Sequence, residues 1–230
     1  MAVIPVTGIE RRNADNAHAW GDDDTDVWIG INTLGSDIVL PRNSAQAAAF
    51  VKQHNPLGWL AEDGVPIETS IDSQKFKALQ GGATIKTKIT SVERNFQVQA
   101  LEEILEVTSL YWVHGKPKAV AAGESLIDIP STMKTLNCWA ILSFVDGEYW
   151  KIYVFPSVDV TDRGTLDHKN SDLSIYQMTF DIRKAGWMIT NNPSYLEGMT
   201  DEEKKDFTAA EDGAVILTGG TPAAVDPLAA

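Results

Sequence analysis

Hydrophobic and polar residues alternate along much of the middle of the chain. Between residues 83 and 92, Ile85 and Ile89 fall on one face of an extended segment, and the lysines between them fall on the other. The same alternation resumes from Phe96 to Ala100. A period of two residues is typical of strands with one buried face, so we predict half-buried strands on both sides of Arg94.

The pattern changes at Leu101. Leu101, Ile104, Leu105 and Thr108 recur at helical spacing, while acidic residues point elsewhere. This spacing predicts an amphipathic helix of about three turns. A shorter, alanine-rich helix is predicted at SAQAAAFVK, with Ser44 as its N-cap. Short strands are predicted at residues 27–31 and 38–40.

The strongest hairpin signal is the dipeptide Asp146-Gly147, which lies between apolar segments at residues 135–145 and 148–158. Asp-Gly is favoured in tight two-strand turns. Neither segment has a consistently polar face, so we expect both faces to be covered, one by the core and the other by a helix or a neighbouring subunit. A last strand is predicted at residues 173–183.

Regular patterning is confined to residues 27–190, which we predict to form a single mainly β domain. Residues 1–26 carry an acidic run and scattered apolar residues, and we interpret them as an N-terminal arm. Residues 191–230 are predicted to contain a small helix capped by Thr200, followed by a flexible tail rich in Gly, Ala and Pro.

Composition and charge narrow the function classes. The 230 residues are 43% hydrophobic, and no apolar run reaches the roughly 20 residues of a membrane helix. The N-terminus lacks the pattern of a secretory signal, so we expect synthesis in a cytoplasm. The formal net charge of −13 argues against tight binding to nucleic acid through its phosphates.

The acidic residues and histidines that could bind a metal lack the complete sequence pattern of known metal sites. Asp22, Asp24 and Asp26 have the spacing of a calcium loop, but Val27 and Thr33 stand where the turn glycine and the bidentate glutamate are required. The histidines have no partner at metal-ligand spacing, and we expect each in a loop or at the surface. They are His18, His54, His114 and His168.

Candidate catalytic residues are equally unsupported. Gly123-Glu124-Ser125 resembles a nucleophile elbow, but Ile127 replaces its second glycine. Glu102 and Glu106 are expected to share an outward helix face. The single cysteine, Cys138, lies in an apolar segment and is interpreted as a buried structural thiol. We therefore predict no catalytic, metal or cofactor site.

The tryptophans divide into two groups. Four lie in apolar segments and are expected in the core: Trp112, Trp139, Trp150 and Trp187. The other three lie near the arm and the turns, where aromatic anchors would concentrate the binding energy of a subunit contact. These candidate subunit-contact residues are Trp20, Trp28 and Trp59.

The order of these segments resembles the major tail tube proteins of long-tailed (siphovirus-type) bacteriophages, over about residues 27 to 190. The segments that carry the resemblance are the turn GWLAEDGV, the strand FKALQGGATIKTKIT, the strand-helix unit FQVQALEEILEVTSLYW and the hairpin VDGEYWKIYVF. The resemblance implies a β-sandwich or barrel with one flanking α-helix and extended arms at both termini.

The same resemblance implies a structural virion protein. Its subunits would form stacked, usually hexameric rings, assembled in the host cytoplasm, that make the conduit for DNA ejection. Its partners would be copies of itself and the tape-measure, tail terminator and distal tail or baseplate proteins, with DNA only in transit past an acidic wall. The alternatives are a virion-associated adhesin domain and, with less support, a carbohydrate-active enzyme using a carboxylate pair.

Overall fold

A computed structural model of the protein describes residues 17–32, 38–77, 83–197 and 215–217. The fold is mainly β, as the sequence predicts, with two short helices. The strands are β1 (Asp26–Ile31), β2 (Ile38–Leu40), β3 (Ile67–Lys77), β4 (Thr84–Ala100), β5 (Lys118–Ala121), β6 (Glu124–Leu126), β7 (Leu136–Asp146), β8 (Tyr149–Arg163), β9 (Tyr176–Ile182), β10 (Trp187–Thr190) and β11 (Val215–Leu217). The helices are α1 (Ser44–Val51) and α2 (Leu105–Trp112), and a 3-10 turn spans Pro193–Tyr195.

Seven antiparallel strands form one sheet in the order β1-β7-β8-β9-β4-β3, with β10 beside β8. The long strand β8 divides its outer edge between two partners, since residues 151–154 pair with β10 and residues 158–163 pair with β9. The β7–β8 and β8–β9 ladders each contain a register shift. Bulges of this kind bend strands, and the result is one strongly curved sheet.

The segment at residues 57–61 joins the two ends of this sheet. The Leu57 amide donates a hydrogen bond to the Val27 carbonyl at 2.8 Å, and the Ala61 amide donates to the Gln99 carbonyl at 2.9 Å. Because β1 ends one side of the sheet and β4 lies near the other, these bonds give the sheet a barrel-like closure.

Apolar side chains fill both faces of the curved sheet. The inner face holds the larger core, which includes Phe96, Phe180 and the even-numbered residues of β7 together with α2. The odd-numbered residues Trp139 and Ile141 lie on the outer face, where they pack with Phe50 of α1. The prediction that both faces of the β7–β8 hairpin are covered is therefore confirmed, with α1 as the cover on the outer face.

Several element boundaries differ from the prediction. Helix α2 begins at Leu105 instead of Leu101, because the Leu101 amide donates to the Trp59 carbonyl at 2.8 Å and holds residues 101–104 outside the helix. The N-cap of α1 is Asn43 instead of Ser44, and its side-chain oxygen accepts from the Gln46 amide at 2.8 Å.

The hairpin predicted at Asp146-Gly147 is confirmed, with the turn one residue later. Asp146 pairs with Tyr149, so Gly147 and Glu148 are the two turn residues. Gly147 has φ of 58°, a conformation that glycine adopts without steric cost. Strand β9 begins at Tyr176 instead of residue 173, and the short strand β10 was not predicted.

The regions predicted as arms contain ordered contacts where they are described. The Gly21 and Asp22 amides donate to the Val145 carbonyl at 3.1 and 3.2 Å, so residues 17–25 lie against the β7–β8 hairpin. At the other end of the chain, β11 pairs with β2, so the flexible tail predicted there includes a strand. Residues 1–16 and the helix predicted after Thr200 lie outside the described residues.

No described helix has both the length and the apolarity to cross a membrane.

Candidate assembly surface

Strands β3 and β4 extend beyond the barrel as a two-stranded hairpin. Every residue of β3 is exposed, and β4 becomes buried only from Phe96, where it also pairs with β9. We call residues 67–77 and 84–94 the ribbon. At about 3.3 Å per residue, an 11-residue strand such as β3 spans roughly 35 Å.

The ribbon has one apolar face. Its pairing register places Ile71 opposite Val92 and Ser73 opposite Ile89, on the same face as the pair Ile67 and Phe96. Phe96 is fully buried in the inner core. The stripe, which we define as Ile67, Ile71, Ile89 and Val92, therefore continues the core surface outward into solvent.

The opposite face of the ribbon is polar apart from Phe76, which pairs with Lys86. Asp72 is paired with Ser91, and the Ser91 hydroxyl donates to the Asp72 carboxylate at 3.0 Å. The prediction that Ile85 and Ile89 are half-buried is wrong for the single chain, because they are 72% and 58% exposed. In the described part of the chain β3 pairs only with β4, so its outer edge is also open. Exposed apolar patches and open edges mark interaction surfaces.

A hollow of about 790 Å³ lies at the base of the ribbon. Four parts of the chain form it: residues 20–26, residues 58–67, Glu102, and side chains from β7 and β8. Its aromatic lining residues are Trp20, Trp59, Phe144 and Tyr153. Its carboxylates are Asp22, Asp23, Asp26, Glu62, Asp63 and Glu102. Among the described residues that line it, Lys151 is the sole basic one.

Two of these carboxylates hold the walls in place. The Asp22 carboxylate accepts a hydrogen bond from the Gly147 amide at 2.6 Å, which ties the N-terminal segment to the β7–β8 turn. The Glu102 carboxylate accepts from the Trp59 amide at 2.9 Å. Nearby, Glu106 accepts from the Asn55 side chain at 2.7 Å. Glu102 and Glu106 thus fix residues 55–59 instead of sharing an outward helix face.

Burial affects two charged groups of the hollow. The Lys151 ammonium lies 4.1 Å from the centre of the Trp20 ring, a cation–π geometry, and partial burial lowers its pKa. Partial burial also raises the pKa of Asp26, and the nearby charge of Asp24 raises it further. Desolvation disfavours the charged form in both cases, so this end of the hollow is less polar than its composition suggests.

The structure separates the three tryptophans proposed for subunit contacts. Trp20 and Trp59 line the same hollow, and Trp59 is 72% exposed at its rim. Trp28 is 8% exposed and packs in the outer core, where its indole N–H has no hydrogen-bond partner among the described residues. Trp28 therefore presents little surface in the single chain. The alternation predicts the β4 half of the ribbon as a strand, but β3 was not predicted as a separate strand, and neither was predicted as an exposed surface.

All four histidines lie in loops, as predicted, and three of them are packed against other side chains. The His18 ring lies 2.9 Å from the Asp146 carboxylate and against Trp20. The His54 ring stacks on Phe50 at 4.1 Å. His114 is buried, with its ring 3.0 Å from the Thr108 hydroxyl. The contact of His18 with Asp146 joins residues 128 positions apart, whereas the contacts of His54 with Phe50 and of His114 with Thr108 are local in sequence.

The described residues contain no group of three or more His, Cys, Asp or Glu side chains placed to hold a metal ion. Ser125 lies in β6, within the small β5–β6 sheet and away from any strand-to-helix turn. Cys138 is buried, as predicted, and burial raises its thiol pKa to about 12, which keeps it protonated and unreactive.

No protein-family model matches the chain, and no curated protein matches it. Among solved structures, a chain of the "Virion of native gene transfer agent (GTA) particle" is similar with a TM-score of 0.37 and 9% sequence identity. The alignment covers 74% of this chain and 98% of that one. A similarity at this level does not define a family or a role.

Proposed function

We propose that the protein is a structural virion subunit that assembles into stacked rings and forms the tail tube of a phage-like particle. The observation that carries the proposal is the ribbon, whose stripe continues the apolar core surface into solvent. Leaving such a surface exposed is unfavourable in water, and burying it against other subunits removes that cost.

The open edge of β3 supports the same proposal. A long exposed edge strand is prone to uncontrolled pairing, and a closed ring of identical subunits covers it with one repeated contact. The proposed partners are copies of the chain in rings, usually hexameric in the proteins it resembles, and the tape-measure, terminator and distal tail proteins. The net charge of −13 suits a conduit wall along which DNA slides without binding.

Negative-stain electron microscopy of the purified full-length chain across a concentration series tests this proposal. Rings or hollow tubes of uniform diameter are the expected result. Compact monomers at the highest concentration, persisting after a tape-measure protein and a tail-tip initiator are added, would contradict it.

The exposed rim residue Trp59 offers a more local test. We expect Trp59→Ala to reduce assembly severalfold, because exposed aromatic anchors concentrate binding energy. Leu173→Ala is the matched control, since Leu173 is 71% exposed in the loop between β8 and β9. Circular dichroism should be unchanged for both variants. Equal assembly of the two would remove Trp59 from the contact.

A further inference from the structure

The far half of the ribbon is basic in an acidic protein. Residues 73–92 contain four lysines and no aspartate or glutamate, whereas the whole chain has a net charge of −13. The lysines are Lys75, Lys77, Lys86 and Lys88, and all four are exposed. We call residues 73–77 and 84–91 the distal ribbon.

The hollow carries the opposite charge. Asp23, Glu62 and Asp63 line it, and all three are exposed. Unlike Asp22 and Glu102, their carboxylates form no hydrogen bond or ion pair with any other described residue. These three charges are therefore available to a partner, and Trp59 beside them supplies an exposed apolar surface.

Geometry keeps the two surfaces of one chain apart. Val65, Pro66 and Ile67 line the hollow, so it lies at the base of the ribbon. Lys75 follows Ile67 by eight residues of continuous strand, which spans roughly 26 Å. An extended strand of this length cannot bring its far end back to its own base. The distal ribbon therefore cannot fill the hollow of its own chain.

We propose that the distal ribbon of one copy docks into the hollow of a second copy. This inference rests on the proposed self-assembly and names the contact that propagates it. Lys86 and Lys88, on one face of the distal ribbon, face Asp23, Glu62 and Asp63, while the exposed Ile85 and Ile89, on the other face, pack against Trp59 at the rim. Complementary charge directs the approach and sets the register, while the apolar contacts supply affinity.

This contact is heterologous, since it joins two different surfaces of the same chain. When two copies dock, the copy that inserts its ribbon still has an empty hollow. The copy that receives the ribbon still has its own ribbon free. Such a contact repeats until a ring closes or a filament grows. It therefore suits a subunit that must add to itself many times.

A charge exchange tests the docking. One variant reverses the distal ribbon (Lys75→Glu, Lys86→Glu, Lys88→Glu), and the other reverses the hollow (Asp23→Lys, Glu62→Lys, Asp63→Lys). Each variant alone places like charges at every contact and is expected to remain monomeric at concentrations where the parent assembles. An equimolar mixture restores opposite charges at both kinds of contact and is expected to regain assembly to at least half the parental extent.

The control variant reverses three exposed lysines outside the ribbon: Lys116→Glu, Lys134→Glu and Lys184→Glu. It has the same net charge as the ribbon variant, so it separates loss of docking from general repulsion. At the salt concentration where its own assembly is greatest, it should assemble to the same extent as the parent. Sedimentation velocity and negative-stain microscopy of the full-length chains provide the measurements, with circular dichroism to check folding.

The outcomes distinguish the two proposals. If the parent assembles and both reversed variants assemble equally well, the docking is wrong, a different partner covers the ribbon, and the proposed function stands. If the two variants fail singly and their mixture also fails, the pairing of ribbon with hollow is wrong. If the parent forms no assembly even with its tail partners present, the proposed function fails and the docking fails with it.

Discussion

Single carboxylates determine the shape of the hollow. Asp22 joins the N-terminal segment to the turn at Gly147, and Glu102 holds the backbone of Trp59. The sequence predicts a hydrated acidic loop at residues 22–26, because nothing in a run of aspartates specifies a distant amide as partner. These bonds arise from tertiary folding. Residue-scale prediction therefore succeeded for the buried Cys138 and for the loop positions of the histidines, and failed for the carboxylate acceptors.

The half-buried Asp26 should weaken the fold at neutral pH. Its pKa is raised in the folded state, so its stabilising contribution is complete below the ordinary carboxyl pKa and is lost as the pH rises through the folded value. We expect Asp26→Asn to raise stability at pH 7 by less than about 1 kcal/mol, since solvent screens a partly exposed group. The gain should disappear near pH 3.

Urea unfolding at both pH values measures this effect. The exposed residue Asp63 provides the control, and Asp63→Asn should change stability little at either pH. A lower urea midpoint for Asp26→Asn at pH 7 would show that the Asp26 carboxylate stabilises the fold.

At the scale of elements, periodicity predicts where strands lie better than it predicts whether their faces are buried or exposed. The alternation in β4 indicated a strand with one apolar face, and the strand is present. Alternation does not distinguish a face covered by the same chain from one left for another molecule, so the sequence predicts Ile85 and Ile89 as half-buried. Helix α2 lost its first turn because Leu101 bonds to Trp59, a competition that helical spacing does not reveal.

The capping of α1 allows a direct test at this scale. Asn43 accepts from the Gln46 amide, whereas Ser44, the cap that the sequence suggests, is the first helical residue. Asn43→Ala should therefore cost about 0.5–2 kcal/mol of unfolding free energy. Ser44→Ala should cost much less, because its exposed hydroxyl caps no amide. Chemical denaturation of the two variants compares them, and the reverse order would place the cap at Ser44.

At the scale of the whole molecule, the proposed docking depends on how charge is distributed over the surface more than on the net charge. The net charge of −13 is readable from composition, and the lysine cluster of residues 73–92 is visible in the sequence. The convergence of Asp23, Glu62 and Asp63 at one hollow depends on the path of the chain around the barrel. Sequence reasoning therefore predicted the β4 half of the distal ribbon as a strand and did not find the hollow.

Assembly should respond to salt in two opposite ways. Repulsion between acidic subunits acts over long distances and is largely screened by 0.1 M salt, where the Debye length is about 10 Å. The contact between ribbon and hollow acts over a few ångströms and weakens mainly at higher salt. We therefore expect assembly to increase up to about 0.1 M sodium chloride and to decrease between 0.1 and 0.5 M.

Light scattering across a salt series would reveal this maximum. The control variant with three reversed lysines outside the ribbon should show its maximum at higher salt, because it carries more negative charge to screen. Assembly that keeps increasing up to 0.5 M would mean that apolar burial alone drives the association.

The exposure of Trp59 also gives the protein an intrinsic optical reporter. The other six tryptophans are buried or half-buried, so Trp59 dominates the fraction of emission that dissolved iodide can quench. Docking at the rim of the hollow would transfer its indole from water to a protein contact. The emission should then shift to shorter wavelength and lose its quenching, which would let subunit addition be followed in real time without a dye or a label.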